Sequence, residues 1–433
     1  MILALQVIVF ILIIIWSLKY ISSYQELVSH PFSKKEKIVV SGMQKFLLLI
    51  LATGILQLGG FSAMRLLGAI ILVLIAILKD SNKQPFSFTV FTYILFLLWL
   101  ICAIVYSPVK DYGVRVFLKY LYPFLILLLA AKVTTSPPFA YTGLKIILKV
   151  GVLGALSLLV LSRIPILNQI SGGLLWWGPA ILDFLGVAIA IVLAYYTMEV
   201  KKRYIWLLPL FVLPCVLGVN RTGLLVVTIT IAIFSLVRYN IRSVPYLVLA
   251  GGIFLGSVLY IPEIREKMFK KELSTEYIVE NRESLTTDDI DSSGRFAMWE
   301  WSLKRFYEGK ELTGSGLGVL QEVFYSLNHP FGRMRIVHND YVQLLCDTGL
   351  IGLILYALVF LSMAIHSVIV FYSRNQFTVR LLAIISVASI AGMAASLYTD
   401  NAVNYSLMTL GYPFAIYGMM LGLKKNEKLR AKN

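Results

Sequence analysis

The chain has 433 residues, 58% of them hydrophobic and 14% charged, with a formal net charge of +16. An ordinary soluble domain carries about 25% charged residues, so this much apolar surface excludes a water-soluble fold and makes lipid the solvent. Three scattered cysteines (Cys102, Cys215, Cys346) give no disulfide framework, and four scattered histidines (His30, His329, His338, His366) offer no metal-ligand spacing.

The expected fold class is all-α, a polytopic transmembrane helix bundle of about 12–14 spans with one large water-facing loop that itself contains helices. A span needs roughly 20 apolar residues. By that criterion spans lie near residues 1–20, 40–57, 62–78, 89–106, 116–132, 143–162, 179–198, 204–218, 222–238, 244–261, 342–372, 379–399 and 406–423. Met1 to Trp16 carries no charge, no basic start and no small-residue cleavage site, so it reads as a retained first span rather than a signal peptide. Four units follow: an N-terminal bundle over 1–261, a large polar loop over 262–337, C-terminal spans over 338–423, and a basic tail over 424–433.

The charges sort by loop. Lys34, Lys35 and Lys37 fall in one set of alternate loops, as do Lys79 and Lys83, Lys145 and Lys149, Lys201 to Arg203, Arg238 and Arg242, Arg374 and Arg380, and the tail lysines from Lys424. The positive-inside rule puts that set in the cytoplasm, the N-terminus outside and the C-terminus inside. The excess positive charge then faces anionic headgroups of membrane lipids and is no nucleic-acid footprint. With no internal repeat, a transporter built on inverted repeats gains no support.

The stretch from Ile261 to Val337 is the one long polar segment and holds Glu272, Glu276, Glu280, Glu283, Asp288, Asp289 and Asp291. A connection of that length is usually functional. Within it, Asp291, Ser292 or Ser293 is an expected N-cap, and Phe296, Trp299, Leu303 and Phe306 recur at helical spacing. Gly314-Ser315-Gly316-Leu317-Gly318 reads as a helix stop and tight turn. It is no nucleotide fingerprint, since no strand precedes it.

Several ionisable residues sit where chemistry is expected. Arg221, between two apolar runs, is a cation at membrane depth, a placement that usually marks a functional path. Arg295 falls in the first turn of the loop helix, where free N–H groups and a guanidinium fork together suit phosphate. His338 opens His338-Asn339-Asp340-Tyr341 where the loop re-enters the membrane, with Arg333 and Arg335 upstream. A histidine there can act as general acid or base. Arg115 and Lys119, four apart on one helical face, are candidates for a second anion or for the acceptor, together with Asn339 and Tyr341. Asp183, inside a span, is expected to face the protein interior as a base or as a partner for an arginine.

Taken together, Asn220-Arg221-Thr222, the glycine turn and His338-Asn339-Asp340-Tyr341 through Gly349-Leu350-Ile351-Gly352 resemble the bacterial O-antigen polymerase and O-antigen ligase superfamily, integral membrane C-type glycosyltransferases. The asparagine before Arg221 departs from the serine usual there. The resemblance implies metal-independent transfer, with no cofactor, of a growing glycan from undecaprenyl diphosphate to a lipid-linked repeat unit (polymerase) or to lipid A–core (ligase). It further implies catalysis by His338, Arg221 and Arg295, diphosphate binding by Arg221, Arg295, Arg333 and Arg335, and a chain-length regulator protein among the partners. A lipid-linked oligosaccharide flippase is the different-class alternative.

Overall fold

A computed structural model describes residues 2–21, 26–29, 37–56, 62–79, 87–160, 164, 179–218, 220–245, 247–248, isolated positions between 251 and 269, and 294–430. Helices dominate it. In chain order they are α1 (Ile2–Ile21), α2 (Gly42–Thr53), α3 (Ser62–Lys79), α4 (Phe88–Val105), α5 (Lys110–Val133), α6 (Pro137–Leu159) and α7 (Pro179–Thr197). Then come α8 (Leu207–Leu217), α9 (Arg221–Tyr239), α10 (Arg295–Phe306), α11 (Val319–Tyr325), α12 (Asp340–Ser373), α13 (Phe377–Thr399) and α14 (Gly411–Arg430). One small departure from an all-α chain is the antiparallel pair β1 (Glu26–Ser29) and β2 (Lys37–Val40), joined in register from Glu26 opposite Val40 to Ser29 opposite Lys37.

Among the described residues seven helices are long and apolar enough to cross a membrane, so the chain is a multi-pass membrane protein. Twelve of the thirteen expected spans coincide with a helix; the tenth, 244–261, lies largely outside the described residues. The lipid-facing surface is visible as stripes. On α12, Ile354, Leu358, Leu361, Ile365 and Ile369 are exposed apolar residues at helical spacing, the pattern of a helix whose outer face meets hydrocarbon.

The eighth span is the shortest, because α8 has only 11 residues. Packing nevertheless requires the chain to cross there. The first turns of α7 and α9 touch, since a Cβ on Gly223 would lie 3.1 Å from Leu182 Cβ. Their last turns touch too, where Arg238 Nη2 donates to Thr197 O at 3.0 Å. The two helices are therefore parallel, and the segment between them must return across the bundle. The 3-10 turn Lys202–Trp206 plus α8 is roughly 27 Å long, close to the ~30 Å hydrocarbon thickness.

The basic loops gather at one end of the bundle, as the charge pattern requires. Lys132 Nζ at the end of α5 donates to Ile77 O near the end of α3. Gln44 Nε2 reaches Val133 O, and Asn426 Nδ2 reaches Thr134 O. Tyr372 OH bonds Val237 O, and Lys424 Nζ bonds His366 Nε2 at 2.6 Å.

At the opposite end α12 departs from the single span expected over 342–372. Gly349 interrupts it with φ 66° and ψ −169°, leaving a short cap, 340–348, ahead of the membrane-spanning part. The break exposes backbone groups that must find partners. Leu350 N–H donates to Glu311 O at 2.8 Å and Ile351 N–H to Leu312 O at 3.3 Å, while Cys346 O accepts from Ser315 N–H and Asp347 O from Gly316 N–H. The glycine turn thus closes the break, and a Cβ on Gly314 would come within 2.6 Å of the Asp347 and Thr348 backbone. The Asp347 carboxylate finishes the joint by accepting from Gly318 N–H and Leu320 N–H, both at 2.9 Å, at the start of α11.

A consequence is testable. Gly349→Ala combines a positive φ with a collision against the Leu312 backbone and is expected to destabilise by at least ~1–3 kcal/mol. Gly309→Ala, at φ 78° in open space, carries the strain without the collision. The thermal unfolding midpoint in detergent should fall further for the first than for the second.

Candidate functional site

The site is built at the end of the bundle away from the basic loops, where α12, α13, α9 and α10 converge. α12 starts there because Asn339 is a good N-cap: its side chain accepts from Val342 N–H at 3.0 Å. His338, just ahead of the cap, is held at φ 53°, an uncommon conformation for a residue with a Cβ. What holds it is the turn after α13. His338 N–H donates to Asn401 Oδ1 at 2.6 Å, and His338 Nδ1 lies 3.0 Å from Asp400 Oδ1. An ionised carboxylate only accepts, so Nδ1 is the donor, and in the neutral ring this leaves Nε2 as the acceptor. The ring is 24% exposed while Asp400 is 3% exposed, so a buried carboxylate orients an accessible imidazole.

Below this pair a polar network locks the geometry. Asn401 N–H donates to Asp400 Oδ1 at 2.8 Å. Asn401 Nδ2 donates to Asp340 Oδ1 at 3.0 Å and to Gln343 Oε1 at 2.9 Å, and Val403 N–H donates to Asp340 Oδ2 at 3.0 Å. Asn401, Asp340 and Asn339 are all buried. Charge-assisted and multiply satisfied bonds of this kind fix side chains at the cost of little remaining freedom.

The two arginines arrive from separate elements. Arg295 is the first residue of α10, whose N-cap is Gly294 at φ 77°; the expected caps Asp291 to Ser293 lie outside the described residues. Its Nη1 donates to Thr399 O at 2.6 Å, one residue before Asp400. Burial pulls the guanidinium below its ordinary value, the charge of Asp400 opposes that shift, and Arg221 adds to it. Two guanidinium groups close enough to repel, one of them half-buried, form a place where an anion would relieve the repulsion. Arg221 opens α9, where Asn220 caps the helix by accepting from Gly223 N–H at 2.8 Å.

The helix α10 exists where the spacing puts it. Met298, Ser302 and Phe306 are buried, and Trp299 and Leu303 of the expected stripe pack half-buried against the same apolar cluster. Two contacts set the rotation: Cys346 Sγ reaches Ser302 O, and Trp299 Nε1 donates to Val337 O at 2.8 Å, tying the helix to the chain just before His338.

The remaining expected residues are placed as follows. Arg333 and Arg335 are exposed on the loop, and among the described residues no hydrogen bond or ion pair ties them to His338, Asp400 or Arg295. Tyr341 OH donates to Ala394 O at 2.7 Å, a tie between α12 and α13. Lys119 Nζ donates to Asn404 Oδ1 at 2.6 Å and to Gln321 Oε1 at 3.3 Å, while Arg115 lies 5.1 Å from the Tyr112 ring centre. Asp183 faces the interior at 1% exposure, and its charged surroundings are Asp400 and Asp340 rather than an arginine.

His329 is engaged otherwise. Its Nδ1 accepts from Phe331 N–H at 3.1 Å, so its Nε2–H donates to Met334 O at 2.7 Å, and the ring stacks on Phe324 at 4.4 Å. Both nitrogens serve the loop.

Asp400 and Asn401 are the residues that sequence reasoning missed. One signal was present: Asp400 is the only acidic residue between Asp347 and Glu427, and it falls between two apolar runs.

Residues 206–357 match the family model described as O-Antigen ligase. The matched stretch contains Arg221, Arg295 and His338 and stops short of Asp400 and Asn401. It agrees with the resemblance carried by the arginine, glycine and histidine motifs and points to a glycosyltransferase-like membrane enzyme, O-antigen ligase- or polymerase-like in kind. No curated protein matches the chain at a significant level.

Proposed function

With the O-Antigen ligase match as premise, we propose that the chain is a surface-polysaccharide polymerase. It would transfer a growing glycan from undecaprenyl diphosphate to a lipid-linked repeat unit at the periplasmic face of the bacterial inner membrane. The observation that carries this reading is the His338–Asp400 pair at 3.0 Å, with Arg295 fastened one residue away on Thr399 O.

The acceptor hydroxyl attacks the anomeric carbon, its proton passes to His338 Nε2, and the bond to the diphosphate oxygen breaks. Asp400 accepts the hydrogen bond from Nδ1–H throughout, so the imidazolium that forms is stabilised where it forms. Negative charge grows on the departing diphosphate, and Arg221 and Arg295 stabilise the transition state more than the ground state. In this reading 262–337 is the outer catalytic loop between the bundles 1–261 and 338–423, and membrane lipids deliver both substrates.

A second reading is favoured by the description of the matched family itself: a ligase whose acceptor is lipid A–core. Incubation of the purified protein with an undecaprenyl-diphosphate repeat unit alone separates the two. The polymerase gives a ladder of products; the ligase gives none until lipid A–core is added. No transfer under either condition refutes both.

A further inference from the structure

The anion site expected at Arg115 and Lys119 takes a different character once their surroundings are visible. The Lys119 ammonium is bound by two amide oxygens, Asn404 Oδ1 at 2.6 Å and Gln321 Oε1 at 3.3 Å. It also lies in the field of the buried Asp340 carboxylate. Its charge is used inside the protein. Arg115 remains exposed, and its guanidinium lies 5.1 Å from the Tyr112 ring centre. Tyr112 in turn lies 6.4 Å from Tyr325, which is 43% exposed. Gly318 makes this arrangement possible, because its bare Cα seats the start of α11 on the Gly113 backbone of α5.

The result is a ledge of two tyrosines, one guanidinium and two side-chain amides, fixed by a lysine at its base. Aromatic faces beside planar hydrogen-bonding groups are suited to a ligand with an apolar C–H face and a rim of hydroxyls. A sugar ring is such a ligand. A phosphate would want unengaged cations, and only Arg115 answers.

The ledge is continuous with the candidate site. Asn404 N–H donates to Asn401 O at 3.0 Å, and Asn401 holds both His338 and Asp400. Tyr405 stands at the junction; burial, then the charge of Asp400, raises its hydroxyl to about 12, so it stays a neutral donor. Arg295 and its neighbour Arg221 approach Asp400 from α10 and α9, whereas the ledge is carried by α5 and α11 and the turn after α13.

We propose that the ledge of Tyr112, Arg115, Lys119, Gln321, Tyr325 and Asn404 binds the carbohydrate of the acceptor, as an uncharged sugar subsite beside the site of transfer. The proposal rests on the glycosyl-transfer reading for the word acceptor, but its test does not need turnover. The probe is the repeat-unit oligosaccharide freed from its lipid diphosphate by mild acid, titrated into the full chain in nanodiscs. Tyr112→Ala with Tyr325→Ala is expected to weaken its binding about tenfold, the loss of two aromatic contacts. Gln321→Ala, a smaller change at a half-buried position, should weaken it in the same direction. Binding of glycan-free undecaprenyl diphosphate should be unchanged in both variants.

Unchanged oligosaccharide affinity in the folded variants, or no binding by the wild-type chain, overturns the subsite. Competition by inorganic phosphate that disappears with Arg115→Ala also overturns it, in favour of an anion site. If the wild type binds the oligosaccharide and the variants do not, yet no ladder forms with lipid-linked substrate, the subsite stands and the polymerase reading falls.

Discussion

His338→Ala is expected to slow glycan transfer ~10²–10⁴-fold, the range that a positioned general base contributes, and His329→Ala to leave it near the wild-type rate. The contrast follows from how each ring is used. His338 Nδ1 is committed to Asp400 and its other nitrogen is left for substrate, whereas His329 spends both nitrogens on the loop. Asp400→Asn keeps a group able to accept from Nδ1 but removes the charge that stabilises an imidazolium. It should cost less than His338→Ala and move the pH dependence of transfer. The product ladder run in parallel on the three variants is the measurement. Near-wild-type activity in the His338 variant would sink the base role, though not the membrane architecture. Complete loss would add diphosphate binding to its duties.

Removing either arginine should be as severe. Arg221→Ala and Arg295→Ala are each expected to lower transfer by ~10²–10³-fold, the cost of deleting one group aimed at developing negative charge. Expression and melting of Arg295→Ala should change little, because among the described residues Arg295 gives the fold one side-chain hydrogen bond, to Thr399 O. Arg295→Lys is the informative variant. A lysine can still reach that carbonyl, but it is a point charge and cannot turn a second donor edge toward a phosphate. A large loss in Arg295→Lys therefore argues for two-pronged anion recognition. Normal polymer length and amount in Arg295→Ala would make the arginine a helix-end fastening and nothing more.

The spans were legible in the sequence because hydrocarbon imposes a long apolar run whatever the partners are. The sorting of charge was legible too, since basic loops respond to the membrane rather than to the fold. Arg221, Arg295 and His338 stood out for a related reason: each is an ionisable residue at the edge of an apolar or membrane-proximal run. Asp400 carried that mark too, between two apolar runs, but neither it nor Asn401 carried a sign of its partner. They meet His338 across the bundle rather than along the chain, and locally they look like the ordinary polar flank of the span 379–399. The break in α12 hid for the opposite reason. Gly349-Leu350-Ile351-Gly352 inside an apolar run reads as a packing motif, and only the approach of the Leu312 backbone shows that the glycine is needed for its φ. The stripe on α10 was legible from its spacing, and Trp301 adds to its packing by resting edge-on against Phe306, Phe324 and Phe331.

The joint between the glycine turn and the broken helix has a further consequence, for chain length. Glu311, Leu312, Ser315 and Gly316 each hand one backbone group to a fixed partner on Cys346, Asp347, Leu350 or Ile351. Those four partners are spaced by the helix, so the turn must supply its donors and acceptors at a matching count. One residue inserted between Leu312 and Ser315 would misalign the carbonyls on one side or the N–H groups on the other, with no side chain changed. A surface loop ordinarily tolerates added residues; this one is metered like the interior of a helix. Insertions and deletions should therefore be refused between Glu311 and Gly318, and a scan of single-residue insertions across the loop would draw that boundary.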